Sequence, residues 1–214
     1  MDGAGRTDAG VHAAGQVIGF TDSGRLSVAA LTEALNGTLP PDVAVRDIRR
    51  TPARFQPRYA ARYREYRYTI WNGPRSPLRE RTALWVRNPL DANAMARAAE
   101  AFEGRHDFSA FGGSDPQPVR TVLRMRVRRT GASITIDVRA DAFLRGMVRR
   151  MVAALIAVGT GKIGEDAIAA ALLKRTPAFD GAAAPARGLC LRHVALGRRQ
   201  RNDEDEQDEG REER

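Results

Sequence analysis

Apolar positions along the chain switch between a two-residue and a three-to-four-residue repeat, and the switches mark the elements. Residues 16–20, Gln-Val-Ile-Gly-Phe, read as a strand. Ser27 is placed to cap a helix over residues 28–35, with Gly37 ending it and Pro40 and Pro41 beyond. Residues 43–48 and 66–71 alternate apolar and polar side chains, as half-buried strands do. Asp91 opens a helix that runs through Phe102 and is closed by Gly104. Two long alternating segments, 119–129 and 133–140, join at a turn on Thr130 and Gly131. Residues 143–158 carry Leu144, Met147, Val148, Met151 and Leu155 at helical spacing, closed by Gly159. A short helix over 165–174 and a strand over 189–196 complete the body. Strands with helices between them, several pairs antiparallel through short turns, predict an α+β fold.

From Gly197 the pattern stops. The last 18 residues hold five arginines, eight acids and no apolar side chain. Such a segment cannot bury enough surface to offset its ordering entropy, so it is expected to be disordered. Its net charge of −3 leaves +12 on residues 1–196, against +9 for the whole chain. A basic body suits a polyanion through phosphate neutralisation and counterion release. Arginine supplies nearly all of that charge, since lysine occurs only at positions 162 and 174.

The single cysteine, Cys190, sits between Leu189 and Leu191 and reads as a small buried hydrophobe rather than a nucleophile. With no second cysteine there is no internal disulfide, which suits a reducing cytoplasm. His12, His106 and His193 are scattered, without the spacing of a structural metal site. No stretch approaches the roughly 20 apolar residues of a membrane span.

The richest stretch chemically is Gly5-Arg6-Thr7-Asp8-Ala9-Gly10-Val11-His12. Small neighbours let a bulky ligand approach the Asp8 carboxylate, and Arg6 two residues before it can hold phosphate. The plainer alternative is an Asx turn in which Asp8 bonds its own backbone. The wording of the stretch weighs against that alternative. Residues 3–13, Gly-Ala-Gly-Arg-Thr-Asp-Ala-Gly-Val-His-Ala, resemble the signature of the tRNA pseudouridine synthase A family. Five further motifs match in order: Leu-Asn-Gly-Thr-Leu-Pro at 35–40, Phe-Gln-Pro-Arg at 55–58 and Arg-Glu-Tyr-Arg-Tyr at 64–68, then Gly-Arg-His-Asp-Phe at 104–108 and Phe-Leu-Arg-Gly-Met-Val-Arg at 143–149.

That resemblance implies an enzyme that isomerises uridine to pseudouridine at positions 38, 39 and 40 of the tRNA anticodon stem-loop. The alternative kept beside it is a catalytically impaired RNA-binding fragment of the same family. The implied fold is two similar α/β halves with mostly antiparallel sheets flanking a basic cleft. Residues 1–53 would form the half with the catalytic loop, 54–196 the second half, and 197–214 the tail. Family members carry a longer segment before the signature, with a strand bearing Tyr-Asp-Gly and a helix. Four residues precede Gly5 here, so the first half is expected to be incomplete, through a late start or a fragment in preference to a degenerate copy. A form of this length is expected to be weakly active or aggregation-prone. The resemblance also implies a homodimer in which one tRNA touches both subunits, and a cytoplasmic location.

Residue by residue, Asp8 matches the catalytic aspartate of the family. Tyr66 matches the tyrosine that stacks on the target base, with Tyr68 packing behind it. Arg149 matches the basic partner of the aspartate, and would hold it ionised and oriented. Arg145, four residues earlier, is expected on the same helix face. Arg6 matches an arginine that displaces the base, and Arg58 one that binds RNA. His12 is as open to a structural as to a catalytic role. No cofactor or metal is implied, because the reaction is an internal rearrangement. Two imitations of nucleotide-binding loops fail. After Gly3 and Gly5 the third glycine of a dinucleotide fingerprint is Asp8, and before Gly161-Lys162 the first glycine of a phosphate loop is Ile156. A nucleotide-dependent oxidoreductase is therefore disfavoured.

Overall fold

A computed structural model of the chain describes residues 1–197. The charged tail, past Gly197, lies outside the described residues. The elements in chain order are β1 (Asp2–Gly3), β2 (His12–Ala13), β3 (Ile18–Gly19), α1 (Val28–Thr38), α2 (Pro57–Ala60), β4 (Ala61–Trp71) and β5 (Leu84–Trp85). They continue with α3 (Ala92–Ala99), β6 (Gly104–Asp107), β7 (Val119–Thr130), β8 (Ser133–Ala140), α4 (Met147–Gly159), α5 (Ala167–Lys174) and β9 (Leu189–Leu196).

Among the described residues the main sheet has the order β2-β9-β4-β8-β7-β6, and β5 pairs with the far end of β4. The β4–β8, β7–β8, β6–β7 and β4–β9 pairings are antiparallel; those of β2 with β9 and β5 with β4 are parallel. This is the mixed α and β architecture that the sequence predicts, with a mostly antiparallel sheet.

Alternation along β4 decides what is buried. Arg64, Tyr66, Tyr68 and Ile70 point inward, while Tyr63, Glu65, Arg67 and Thr69 lie on the opposite face and are half-buried. The inward residues of β4, β7, β8 and β9 share one apolar core with α3, α4 and α5. On the outer face Arg67 pairs with Asp137 at 2.7 Å and Arg139 with Glu65 at 2.7 Å, across the β4–β8 register. Cys190 is half-buried rather than buried, because Leu189 and Leu191 take the inward positions of β9 and turn it outward.

Several boundaries differ from expectation for identifiable reasons. Ser27 caps α1 by accepting from the Ala30 N–H, but Gly37 does not stop that helix, which continues to Thr38 and ends before Pro40. The 43–48 segment alternates yet forms no strand: the Asn36 amide takes both backbone groups of Val45, at 2.7 and 2.9 Å, in place of a neighbouring strand. Residues 143–146 are not helical, since Gly146 at φ +70° sets the entry to α4. Arg145 therefore stands outside the helix and shares no helical face with Arg149. Gly159 is the last helical residue rather than the stop. The expected strand at 16–20 shrinks to β3, paired with β1 alone. Within residues 1–53 only Ala4 is buried, and α1 buries no residue.

Candidate active site

The loop from Ala4 to Val11 joins β1 to β2 and is tied down from several sides. The Ala4 N–H donates to the Val17 carbonyl at 2.8 Å, and the Gln16 side-chain amide donates to the Gly5 carbonyl at 2.9 Å. Arg64 holds the start of the loop. Its Nε and Nη2 donate to the Ala4 carbonyl at 3.1 and 2.6 Å, while Nη1 donates to the Asp141 carbonyl and Nη2 also to that of Arg58. A buried guanidinium that satisfies three backbone carbonyls joins the loop, α2 and the end of β8 at one point. The Val11 N–H returns to the Asp8 carbonyl at 3.0 Å and closes a turn, and His12 Nε2 lies 2.7 Å from the Arg81 carbonyl.

Asp8 crowns this turn. Its Oδ2 accepts from Arg149 Nη1 at 2.8 Å, with both side chains about a quarter to a third exposed. Arg149 Nε donates to the Ala184 carbonyl at 2.6 Å, and the Ala184 N–H returns to the Arg149 carbonyl at 3.0 Å. The guanidinium is thus fixed by two partners and has little freedom to turn away. Asp8 Oδ1 has no partner among the described residues.

Tyr66 stands beside the pair, buried, with its ring edge-on to Phe143 at 5.2 Å and 90°. Burial pushes its phenol above the ordinary value and the nearby Asp8 carboxylate pushes the same way, while Arg64 opposes. Its hydroxyl lies 4.0 Å from where a Cβ on Gly5 would stand, an ordinary contact distance that places the Tyr66 phenol against the start of the loop. Tyr68 is fully buried two residues on and donates its hydroxyl to the Pro185 carbonyl at 2.8 Å.

The structure therefore gathers Asp8, Arg149 and Tyr66, whose sequence positions are far apart. Arg6 and Arg58 have exposed side chains and make no bond to that trio. His12 serves as a backbone anchor. Sequence reading missed Arg64, Gln16 and Phe143. A signal for Arg64 exists, because it is a charge in the inward register of Tyr66 and Tyr68. Among the described residues no group of three or more His, Cys, Asp or Glu side chains converges, and no helix is long and apolar enough to cross a membrane.

A half-open carboxylate is held by one arginine beside a buried aromatic side chain. Comparison with known proteins narrows this. A family model described as tRNA pseudouridine synthase matches residues 1–60 and 98–195, and the chain belongs to that family. Among similar curated proteins, the tRNA pseudouridine synthase A of Geotalea uraniireducens is 41% identical over 198 residues, covering 91% of this chain and 81% of the relative. That of Moorella thermoacetica is 44% identical over 196 residues, covering 89% and 79%. That of Klebsiella pneumoniae is 40% identical over 192 residues, covering 88% and 71%.

Proposed function

We propose that this protein isomerises uridine to pseudouridine in tRNA, at positions 38, 39 and 40 of the anticodon stem-loop, with Asp8 as the catalytic carboxylate. The observation that carries the reading is the 2.8 Å Arg149–Asp8 pair beside Tyr66, in a chain of this family. The reaction breaks the bond from the ribose to N1, turns the base and joins C5 to the same ribose carbon. N1 gains a proton and C5 gives one up, so the balance closes without a cofactor. With Oδ2 engaged by Arg149, Oδ1 is the oxygen free to act as nucleophile towards ribose or base, or as a base towards a ribose proton. Tyr66 offers the extruded base an aromatic face, a contact of about 1–3 kcal/mol. Arg6, exposed on the same loop, displaces the base and meets the backbone, and Arg58 adds phosphate binding. The reading includes the division at residue 53, a homodimer sharing its tRNA, and a cytoplasmic setting.

The second reading, an RNA-binding form with impaired catalysis, is favoured by one observation: residues 1–53 bury only Ala4, so the Asp8 loop rests on few packing contacts. Release of hydrogen from uridine C5 separates the two. tRNA tritiated at that carbon should lose label with the wild-type protein and keep it with Asp8→Asn, while both proteins bind the tRNA. Binding without release by the wild type supports the second reading.

A further inference from the structure

Beyond the loop of Asp8, one surface feature is both built and unaccounted for. Between β4 and β5 the chain makes an excursion, residues 72–83, whose crest carries Arg75, Arg79 and Arg81 with one acid, Glu80. The crest is exposed, with Leu78 at its top 95% accessible. It is nevertheless rigidly constructed. Backbone bonds from Arg79 to Ser76, Glu80 to Pro77 and Thr82 to Arg79 wind it into tight turns of 3.1 to 3.2 Å. The two tryptophans brace its base, Trp71 Nε1 donating to the Pro74 carbonyl at 2.6 Å and Trp85 Nε1 to that of Gly73 at 3.0 Å. The Arg79 guanidinium lies 4.4 Å over the Trp71 ring, and that of Arg75 lies 5.9 Å over Trp85. Stacking fixes a guanidinium by its face and leaves its N–H edge free for a bidentate acceptor. Glu80 is turned to Arg187 at 3.5 Å, and among the described residues no carboxylate pairs with Arg75, Arg79 or Arg81.

The crest also sits against the site. His12, four residues after Asp8, takes the Arg81 carbonyl. Arg187, paired with Glu80, follows Ala186, whose methyl lies 3.4 Å from where a Cβ on Gly10 would stand. The catalytic turn is thus flanked by a rigid loop presenting three unpaired arginines.

We propose that residues 75–81 form a second RNA contact, in which Arg75, Arg79 and Arg81 take phosphates of the strand flanking the nucleotide held at Asp8, and Leu78 packs on an adjacent ribose. The proposal rests on the tRNA reading above and names where that tRNA touches beside the pocket. Preorganised forks facing solvent with no internal anion are suited to phosphate oxygens, and each phosphate neutralised adds close to one to the salt slope of binding.

The test uses the full chain with a tRNA transcript, measuring affinity across a salt series. A triple variant with Arg75→Gln, Arg79→Gln and Arg81→Gln should weaken binding by tenfold or more and flatten the slope by about 2 to 3. The triple Arg→Lys variant, which keeps charge, should restore most of the slope even where replacing the stacked side chains loosens the loop. Lys174→Gln, an exposed charge at the end of α5 with no bond to the crest, should match wild type. Wild-type affinity and slope in the triple Gln variant would overturn the proposal. So would an unchanged slope with altered oligomeric state by sedimentation, which would assign the crest to a contact between copies. A wild type that binds with this crest-dependent slope yet releases no hydrogen from C5 would sink the isomerase reading and leave the contact standing.

Discussion

Arg149 occupies the first turn of α4, where the helix dipole favours acids and the sequence supplies none. An arginine there is locally unfavourable unless an anion faces it, and Asp8 is that anion. The pair is partly exposed, so its value lies in orientation rather than stability. Replacing Arg149 by Met is therefore expected to leave the melting temperature within a few degrees of wild type. It should also lower kcat by about a hundredfold, because a carboxylate misplaced by an ångström loses that order of rate. Lysine should rescue poorly, since a single ammonium cannot serve the Asp8 carboxylate and the Ala184 carbonyl with the geometry of one planar fork. Wild-type kcat in Arg149→Met, measured on tRNA, would remove Arg149 from the account. The signature and the matched motifs made Asp8, Tyr66 and Arg149 legible from sequence. Arg64 was not, because its role is to satisfy carbonyls of residues 4, 58 and 141, a convergence that only the fold creates.

At the scale of elements, long periodic segments were readable and short ones were not. β7 and β8 stand where alternation placed them, since a one-residue slip would turn their buried face to solvent. β1, β2, β5 and β6 are two to four residues long, defined by their partners rather than by any pattern of their own. The entry to α4 was misread because apolar spacing continues through residues 143–146 while the backbone does not. Gly146 adopts φ +70°, and a Cβ there would lie 2.7 Å from Arg150 Nη1. Gly146→Ala is expected to cost about 1 kcal/mol, a fall of about 2–4 °C in melting temperature, and to lower kcat by tilting the turn that carries Arg149. Gly131→Ala, at φ +57° with open space around it, should show a similar thermal cost and normal kcat. Equal kcat losses in both variants would show that α4 entry has no special link to the site. A pH prediction belongs to α3. The Asp91 carboxylate accepts the N–H groups of Asn93 and Ala94 at 2.8 and 3.0 Å, and those bonds hold its carboxyl below the ordinary value. A lowered folded pKa stabilises above the unfolded value, about 3.9, and that contribution is lost as pH falls through the lowered one. The melting-temperature gap between wild type and Asp91→Ala should therefore be full near neutrality and shrink in acid. A gap that widens in acid would contradict the cap.

For the whole molecule, charge and architecture point the same way. The body carries +12, and its outer sheet face ties down only part of it in the Arg67–Asp137 and Arg139–Glu65 pairs. If six phosphates are neutralised, affinity for tRNA should drop by roughly 10³-fold between about 50 and 200 mM salt. A flat profile would mean that the basic body does not meet the polyanion. Composition could suggest a polyanionic partner but not which one; that step came from motifs. The central claim is that Asp8 performs uridine isomerisation in the anticodon stem-loop. The most direct test is to map pseudouridine, nucleotide by nucleotide, in one tRNA transcript treated with wild type or with Asp8→Asn. The account predicts new pseudouridine at positions 38 to 40 with wild type and none with the variant. Modification confined to another arm, or unchanged modification by Asp8→Asn, would contradict it.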